Sequence, residues 1–306
     1  DLSKRADLPT FHPVGALYLY EKDAPELAVS RALHERLRIP MQRMDRAQLA
    51  ARYPQIGLDG IEFGVLQPTM GALMARRSIQ KLVGEFVAEG GSYQQLAIQP
   101  PRADASLDAV TTTTGEVLRA DKFVFACGPW LPKLFPDIIS SRIVPTRQEI
   151  FFFMPEAGDV RFNPTHLPAW VDAAEPGVAY GFPPLESRGF KLAIDAHGPR
   201  IDPDTNDRII SSAGLVAVRS YLAKRFPALA NRPLAESGVC QYEHSASGDF
   251  IIDRHPVWAN TCLVGGGSGH GFKPGPAVGR YAAELVNGRL KQPEPRFALA
   301  RHELQG

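Results

Sequence analysis

The chain has 306 residues, of which 44% are hydrophobic, so it is long enough to bury one sizeable core or two. Its 34 basic and 33 acidic residues give a formal charge of +1 and form no basic tract, which argues against a nucleic-acid partner. No apolar run approaches the ~18 residues needed to cross a bilayer, and the first residues lack the hydrophobic region of a signal peptide. The composition predicts a soluble two-domain protein without membrane association.

The cysteines Cys127, Cys240 and Cys262 are irregularly spaced and fit neither a disulfide framework nor a zinc ribbon. This usage favours a reducing compartment, the cytoplasm. Residues 202–206 resemble the start of a calcium loop, but Ala213 stands where the bidentate Glu is needed. They are interpreted as a proline turn, and the sequence predicts no metal site.

The first part of the chain is predicted to contain a strand followed by two helices. Residues 11–20 have strand composition, and residues 28–37 are typical of a short helix. From Leu73 to Val87 apolar residues recur at intervals of three and four, and the glycines at 90–91 supply the left-handed stop of a helix C-terminus. This periodicity predicts an amphipathic helix.

The middle of the chain is predicted to be rich in strands. Residues 114–116 form a turn between two short strands, and residues 123–127 are expected to be a buried strand leading to Gly128. Glycine at a strand end offers a ligand the crevice beyond the carboxyl edge of a sheet. An apolar strand is predicted at residues 150–154, and strands are expected to dominate until about His197.

The last third of the chain contains a glycine-rich segment between two predicted helices, at residues 215–226 and 277–286. The apolar run 261–264 feeds this segment, residues 265–279. Glycines let main-chain N–H groups approach a flat or anionic ligand, and the following helix directs its positive dipole end to the same place. The spacing fits neither a P-loop nor a dinucleotide fingerprint. The segment predicts a cofactor cradle of another kind.

Three separated motifs resemble one protein family and follow the family's order. The glycine-rich segment, with Cys240 and residues 250–256 before it, resembles the C-terminal flavin loop of the monomeric sarcosine oxidase and N-methyl-amino-acid oxidase family. Residues 124–130 resemble the second flavin strand of this family, which belongs to the FAD-dependent amino acid oxidase superfamily. Residues 180–183 followed by 190–192 resemble its active-site sheet. The resemblance extends over most of the chain.

The resemblance implies a mixed α/β, two-domain flavoprotein oxidase fold. The substrate domain, with a large mixed β-sheet, is expected at residues 11–70 and 147–243. The Rossmann-like FAD-binding domain is expected at residues 1–10, 71–146 and 244–306. The family's first βαβ unit, which holds the adenosine and pyrophosphate of FAD, has no counterpart in the sequence. Either the chain is trimmed, or a second chain supplies this segment, or the protein has lost the cofactor.

The resemblance also implies a set of flavin-binding residues. Cys240 stands where the family attaches its flavin through a thioether to the 8α methyl carbon, and a buried small hydrophobic residue is the alternative interpretation. The other flavin-binding residues that the resemblance implies are Cys127, Gly128, Trp130, Gly267, Ser268, Gly269, His270, Gly271, Phe272 and Lys273.

Four residues are implied to act on substrate and oxygen. Lys191 lies among apolar residues and would stabilise the superoxide that develops from O2, although a lysine on the solvent face of the strand is the alternative. Lys273 would bind the substrate carboxylate, while His270 and Tyr180 would lie at the substrate site or, alternatively, be structural. Asp195 replaces a second active-site histidine, so a preferred substrate other than sarcosine is expected.

These residues predict an FAD-dependent enzyme that oxidises the C–N bond of a secondary or N-methylated amino acid. O2 would be the acceptor, and an imine and hydrogen peroxide the products. One alternative is a cofactor-free or partner-dependent binding subunit of the same fold, and another is a flavin dehydrogenase that uses an electron carrier. The family's second carboxylate-binding residue, an arginine, has no counterpart here, so activity is expected to need the absent N-terminal segment.

Overall fold

The computed structural model describes residues 2–23, 25–174, 177–196 and 198–302. The chain folds into two compact units, each made of three chain segments. The first unit comprises Asp1–Leu82, Gln148–His197 and Asp207–Cys240. The second unit comprises Val83–Arg147, Gly198–Asn206 and Gln241–Gly306.

The elements are numbered in chain order. The α-helices are α1 (Leu2–Arg5), α2 (Pro25–Arg36), α3 (Arg46–Arg52), α4 (Ala75–Ala88), α5 (Leu131–Leu134), α6 (Pro136–Ile139), α7 (Ser212–Arg225) and α8 (Gly275–Val286). The strands are β1 (Phe11–His12), β2 (Ala16–Tyr20), β3 (Gln42–Asp45), β4 (Phe63–Gln67), β5 (Ala72–Leu73), β6 (Ala109–Thr111), β7 (Val117–Arg119), β8 (Phe123–Phe125), β9 (Ile143–Phe153), β10 (Ala169–Asp172), β11 (Ala179–Phe182), β12 (Phe190–Ile194), β13 (Leu234–Ser245), β14 (Ile251–Arg254) and β15 (Thr261–Gly265). Short 3₁₀ segments occur at Gly128–Trp130, Val160–Phe162, Pro227–Leu229, Pro295–Phe297 and Leu299–His302.

An eight-stranded mixed sheet forms most of the first unit, in the order β13-β9-β12-β11-β10-β2-β4-β3. β10 pairs with β2 in parallel, whereas β11 is antiparallel to both β10 and β12. In the pair of β11 and β12, Phe182 lies opposite Lys191 and Tyr180 opposite Ala193. The large mixed sheet and the helices confirm the predicted mixed α/β class.

The core of the first unit is built around the Trp170 ring. This ring stacks on Phe190 at 5.7 Å and on Tyr221 at 5.9 Å between centroids. Asp172 and Arg225 are fully buried in the same unit, and Asp172 Oδ2 accepts hydrogen bonds from Arg225 Nε at 2.7 Å and from the Tyr221 hydroxyl at 3.0 Å. A carboxylate can be buried here because charged and neutral donors both satisfy it.

A three-stranded sheet of order β14-β15-β8 organises the second unit. β15 runs parallel to β8, with Leu263 opposite Phe125, and β14 is antiparallel to β15. Phe125 packs edge-on against Phe135 at 4.8 Å between ring centroids, and α8 contributes Ala282 and Leu285 to a second buried cluster. Because β8 and β15 are parallel and in register, their carboxyl ends lie side by side.

Two expectations about buried elements differ from the structure. The strand expected at residues 123–127 ends at Phe125, and Val124 is 49% exposed because alternation buries only the face of its two phenylalanine neighbours. The predicted amphipathic helix is present as α4. Four of its apolar residues, however, are between 44% and 55% exposed: Ile79, Leu82, Phe86 and Val87.

The boundaries of other elements differ from the predicted ones by a few residues. β9 begins at Ile143, seven residues before the predicted strand start, and α7 begins at Ser212, where Ser211 caps the helix by accepting the Gly214 N–H at 2.9 Å. The expected end of the strand-rich stretch, His197, lies outside the described residues.

The proline turn predicted at residues 202–206 is observed. Lys133 Nζ donates to Asp202 Oδ1 at 2.7 Å and also pairs with Asp204, and these bonds lower the pKa of both carboxyl groups.

Across the described ranges, no cluster of three or more His, Cys, Asp or Glu side chains could hold a metal ion. No helix in these ranges has the length and apolarity needed to span a membrane.

Candidate functional site

One face of the large sheet in the first unit is aromatic and carries a lysine. Alternation along β11 and β12 places Tyr180, Phe182 and Lys191 on this face, and the register through β10 adds Tyr18 of β2. Lys191 Nζ lies 5.6 Å from the ring centroid of Tyr180 and 5.1 Å from that of Phe182. These are cation–π distances, so the rings help to hold the ammonium in place.

The Lys191 side chain is largely buried. Burial lowers its pKa below the usual 10.5, Cys240 raises it, and the positive charge of Arg188 lowers it further. Lys191 is therefore not a solvent-facing lysine. When protonated, it is a positive charge held where little water screens it.

Cys240 and Asp195 lie in the same unit as Lys191. Cys240 lies in β13, is half-buried, and carries a free thiol close enough to Lys191 to influence its charge. Asp195 follows β12 directly, is exposed, and donates its main-chain N–H to Val178 at 2.8 Å. The first unit thus brings together three of the residues expected from the sequence: Tyr180, Lys191 and Cys240.

The glycine-rich segment follows β15 in the second unit and leads to α8. Gly269 has φ +79°, and a Cβ there would lie 2.2 Å from Tyr242 Cε2, so only glycine fits. Ser268 also has a positive φ, and its buried Oγ accepts the Ser245 N–H at 3.2 Å and donates to the Gly266 carbonyl at 3.1 Å. The segment is fixed by packing and by its own hydrogen bonds.

Between Gly267 and Gly271, three main-chain N–H groups have acceptors within the protein. Gly267 donates to Glu243 Oε1 at 3.3 Å, Ser268 donates to the Glu243 carbonyl at 3.2 Å, and His270 donates to the Gly267 carbonyl at 3.0 Å. Among the described residues, no acceptor is found for the N–H groups of Gly269, Gly271, Phe272 and Lys273.

The side chains at the tip of the segment are exposed. His270, Phe272 and Lys273 all project into solvent, and His270 Nδ1 lies 3.1 Å from the Ser268 carbonyl. The His270 ring is also edge-on to Phe250 at 6.4 Å between centroids. A ligand at this segment would meet one cation and two rings.

The carboxyl end of β8 lies beside that of β15. Gly128 follows with φ +54°, and the half-exposed Trp130 donates its indole N–H to Asp204 at 2.6 Å. Burial, and then the charge of Glu243, raise the pKa of Cys127 to about 11. The Cys127 thiol is therefore uncharged at neutral pH and unsuited to attack a cofactor.

The motifs do not identify Glu243, yet it contacts the glycine-rich segment directly. The signal that could have found it is its position: one charged residue on the strand between Cys240 and the segment. The second unit thus brings together Glu243, Cys127, Gly128 and residues 265–273. Bare main chain at the carboxyl edge of a parallel strand pair fits the flat ring system of a flavin.

Comparisons with known proteins agree with this geometry. The family described as "FAD dependent oxidoreductase" matches residues 1–285. Monomeric sarcosine oxidase of Bacillus sp. (strain NS-129) is 30% identical over 265 residues, which are 84% of this chain and 67% of that protein. N-methyl-L-tryptophan oxidase of Salmonella arizonae (strain ATCC BAA-731 / CDC346-86 / RSK2980) is 28% identical, over 94% of this chain and 76% of that protein.

A solved structure gives the same fold. Fructosyl peptide oxidase from E. terrenum superimposes with a TM-score of 0.79 at 21% identity, covering 100% of this chain and 75% of that chain. At this identity the likeness concerns the fold alone, and it confirms the expected fold with its large mixed sheet. With the family matched over residues 1–285 and a relative at 30% identity, the chain belongs to the FAD dependent oxidoreductase family and is an FAD-dependent oxidoreductase.

Proposed function

We propose that the protein oxidises the C–N bond of a secondary or N-methylated amino acid and passes the electrons to O2. The substrate loses a hydride from the carbon beside nitrogen and a proton from nitrogen, and O2 gains two electrons and two protons. The products are an imine and hydrogen peroxide. The observation that carries the proposal is Lys191, a largely buried cation on an aromatic face. The relatives named for sarcosine and N-methyl-L-tryptophan support the substrate class.

Bound FAD supplies the two-electron acceptor for this reaction. In the second unit, the open N–H groups of Gly269 and Gly271 would donate to the electron-rich pyrimidine edge of the flavin. Cys127, Gly128 and Trp130 would contact it from the neighbouring strand end. The remaining contacts would come from Gly267, Ser268 and Phe272.

Substrate recognition would depend on charge and hydrogen bonding. The exposed Lys273 ammonium would bind the substrate carboxylate, and His270 would orient the substrate beside it. In the first unit, the Tyr180 hydroxyl would donate to the substrate, and Asp195 would accept from its amine. An acceptor at Asp195 favours a substrate other than sarcosine itself.

Lys191 would act on oxygen. A fixed positive charge stabilises the negative charge that develops on O2 as it accepts the first electron. Burial strengthens this effect because little water competes with the ammonium for the developing charge.

Cys240 would attach the flavin covalently. Its sulfur would bond to the 8α methyl carbon of bound flavin; the thiol hydrogen and one methyl hydrogen would leave with two electrons, and O2 would accept them to give hydrogen peroxide. The half-buried free thiol of Cys240 supports this proposal. All three cysteines are free thiols, which supports a reducing compartment such as the cytoplasm.

The test is an oxygen-electrode and peroxide assay of the purified full chain, supplied with FAD. Sarcosine, N-methyl-L-tryptophan and L-proline serve as substrates. The expected result is one peroxide formed for each O2 consumed. Turnover with an artificial acceptor but not with O2 would establish a dehydrogenase instead. Protein that takes up no flavin, unless a second chain is added, would establish the partner-dependent subunit.

A further inference from the structure

Glu243 is bonded to the glycine-rich segment at two points. Its side-chain Oε1 accepts the Gly267 N–H at 3.3 Å, and its main-chain carbonyl accepts the Ser268 N–H at 3.2 Å. The strand residue and the segment therefore hold each other in one arrangement.

Two glycines make room for this carboxyl group. A Cβ at Gly265 would lie 3.1 Å from Glu243 Oε2, and one at Gly267 would lie 3.3 Å from Oε1. Both distances are tighter than an ordinary van der Waals contact, so side chains at these positions would push the carboxyl group away. The glycines serve the contact with Glu243 as well as the approach of a ligand.

The second carboxyl oxygen lies in apolar surroundings. Oε2 is buried and has no hydrogen-bond partner within the ranges that the structure describes. A Cβ at Gly265 would also lie 2.8 Å from Leu131 Cδ2 and 2.9 Å from Ile143 Cδ1, so apolar side chains border this space. No described Lys, Arg or His forms an ion pair with Glu243. An ionised carboxylate would be costly here, whereas a neutral acid leaves only one oxygen poorly solvated.

The direction of the Glu243 pKa agrees with this geometry. Burial raises the pKa, and hydrogen bonds from the main-chain N–H groups of Gly267 and Gly266 oppose the rise without cancelling it. When Glu243 is ionised, its charge adds to the burial that raises the pKa of Cys127.

We propose that Glu243 is a positioning residue for flavin binding, which acts as an uncharged carboxyl through its hydrogen bond to the Gly267 N–H. This inference rests on the proposed placement of flavin at the glycine-rich segment. By occupying the Gly267 N–H and the Ser268 N–H, Glu243 leaves those of Gly269 and Gly271 as donors to the ligand. Glutamine at this position reproduces both the acceptor and the absence of charge.

The experiment compares Glu243→Gln with Glu243→Leu in the full chain, each in a Cys240→Ala background so that flavin binds reversibly. Fluorescence titration gives the flavin dissociation constant, and a dye-coupled titration gives the midpoint potential of the bound flavin. We expect Glu243→Gln to match its background in both quantities. We expect Glu243→Leu to weaken binding about tenfold, the effect of losing one hydrogen bond.

Hydrogen exchange of the peptide covering residues 262–276 tests the role of Glu243 separately from the proposed position of the flavin. Faster exchange in Glu243→Leu than in Glu243→Gln, without added flavin, shows that the carboxyl group positions the segment even if flavin binds elsewhere. If the Cys240→Ala protein binds no flavin, the proposed flavin site is wrong. Hydrogen exchange then still tests the role of Glu243. If Glu243→Leu does not fold, Glu243→Asp, whose shorter side chain retracts from Gly267, replaces it. Equal exchange and equal affinity in the two variants overturn the inference, as does a midpoint potential that shifts in Glu243→Gln.

Discussion

Arg225 Nε and Asp172 Oδ2 lie 2.7 Å apart, and both side chains are completely buried. Removing one partner of such a pair leaves the other charge without compensation. We therefore expect Asp172→Asn to lower the free energy of unfolding by about 3–5 kcal/mol, measured by urea denaturation. The exposed pair of Arg188 and Glu236 is the control, since Glu236→Gln should cost about 0–1 kcal/mol. If Asp172→Asn and Glu236→Gln lower the free energy of unfolding by the same amount, burial does not make the Asp172 pair more important than the exposed pair.

Replacing Lys191 should affect the oxygen half of the reaction alone. Lys191→Met keeps an apolar chain of similar length but removes the charge, so flavin reoxidation should slow by about 10²–10³-fold, the range for one electrostatic group. Flavin reduction by substrate should stay within a few-fold of wild type. Stopped-flow absorbance follows both half-reactions, and the exposed Lys22→Met is the control. An unchanged reoxidation rate would remove the oxidase argument.

The lowered pKa of Lys191 gives the reoxidation rate a pH dependence. Only the protonated amine carries the charge, so the rate should be highest at low pH and should fall as pH rises through the lowered pKa. The fall should occur below the pH expected for a free lysine. Stopped-flow reoxidation between pH 6 and 11 measures it. Lys191→Met should show no corresponding step, and a step that persists in that variant would assign the titration to another group.

Acid precipitation tests the attachment of the flavin. In wild type the yellow colour should remain with the precipitated protein, whereas in Cys240→Ala it should pass to the supernatant. Cys127→Ala and Cys262→Ala are the controls, because burial raises the pKa of both of these thiols to about 11 and both variants should keep the colour bound. Release of the flavin from wild type would exclude the thioether.

Substitution of Gly181 tests how tightly β11 packs against Lys191 and Trp170. A Cβ at this position would lie 2.0 Å from the Lys191 carbonyl oxygen and 2.6 Å from Trp170 Cζ2. Gly181→Ala should therefore lower the free energy of unfolding by about 1–3 kcal/mol or more, as overpacking does. Gly84→Ala is the matched control. No neighbour lies within 4 Å there, so a gain of about 0.4–1 kcal/mol is expected.

The sequence predicted elements well where local pattern decides them. The positive φ of Gly90 and Gly115 fits the predicted helix stop and the predicted strand turn. Burial was harder to predict, because it depends on what packs against an element. The periodicity of Leu82 and Phe86 located α4 but did not predict their exposure, and Val124 was placed in a buried strand although only its neighbours are buried.

The residues of the candidate site also differ in how far the sequence could predict them. Lys191 could be singled out because a lysine among apolar strand residues is unusual. Glu243 could not, because its significance depends on a hydrogen bond to a segment 24 residues further along the chain. Family motifs identify residues that relatives share, and a contact between two main-chain segments leaves no such pattern.

The ring of Tyr242 occupies the space that a side chain at position 269 would need. Variation at these two positions is therefore coupled, and a library randomised at position 269 alone would return mostly glycine. Engineering of a new substrate preference should diversify His270 and Lys273, whose exposed side chains can change without moving the main chain. Within residues 269–273, the fold therefore requires glycine at position 269 but tolerates other side chains at positions 270 and 273.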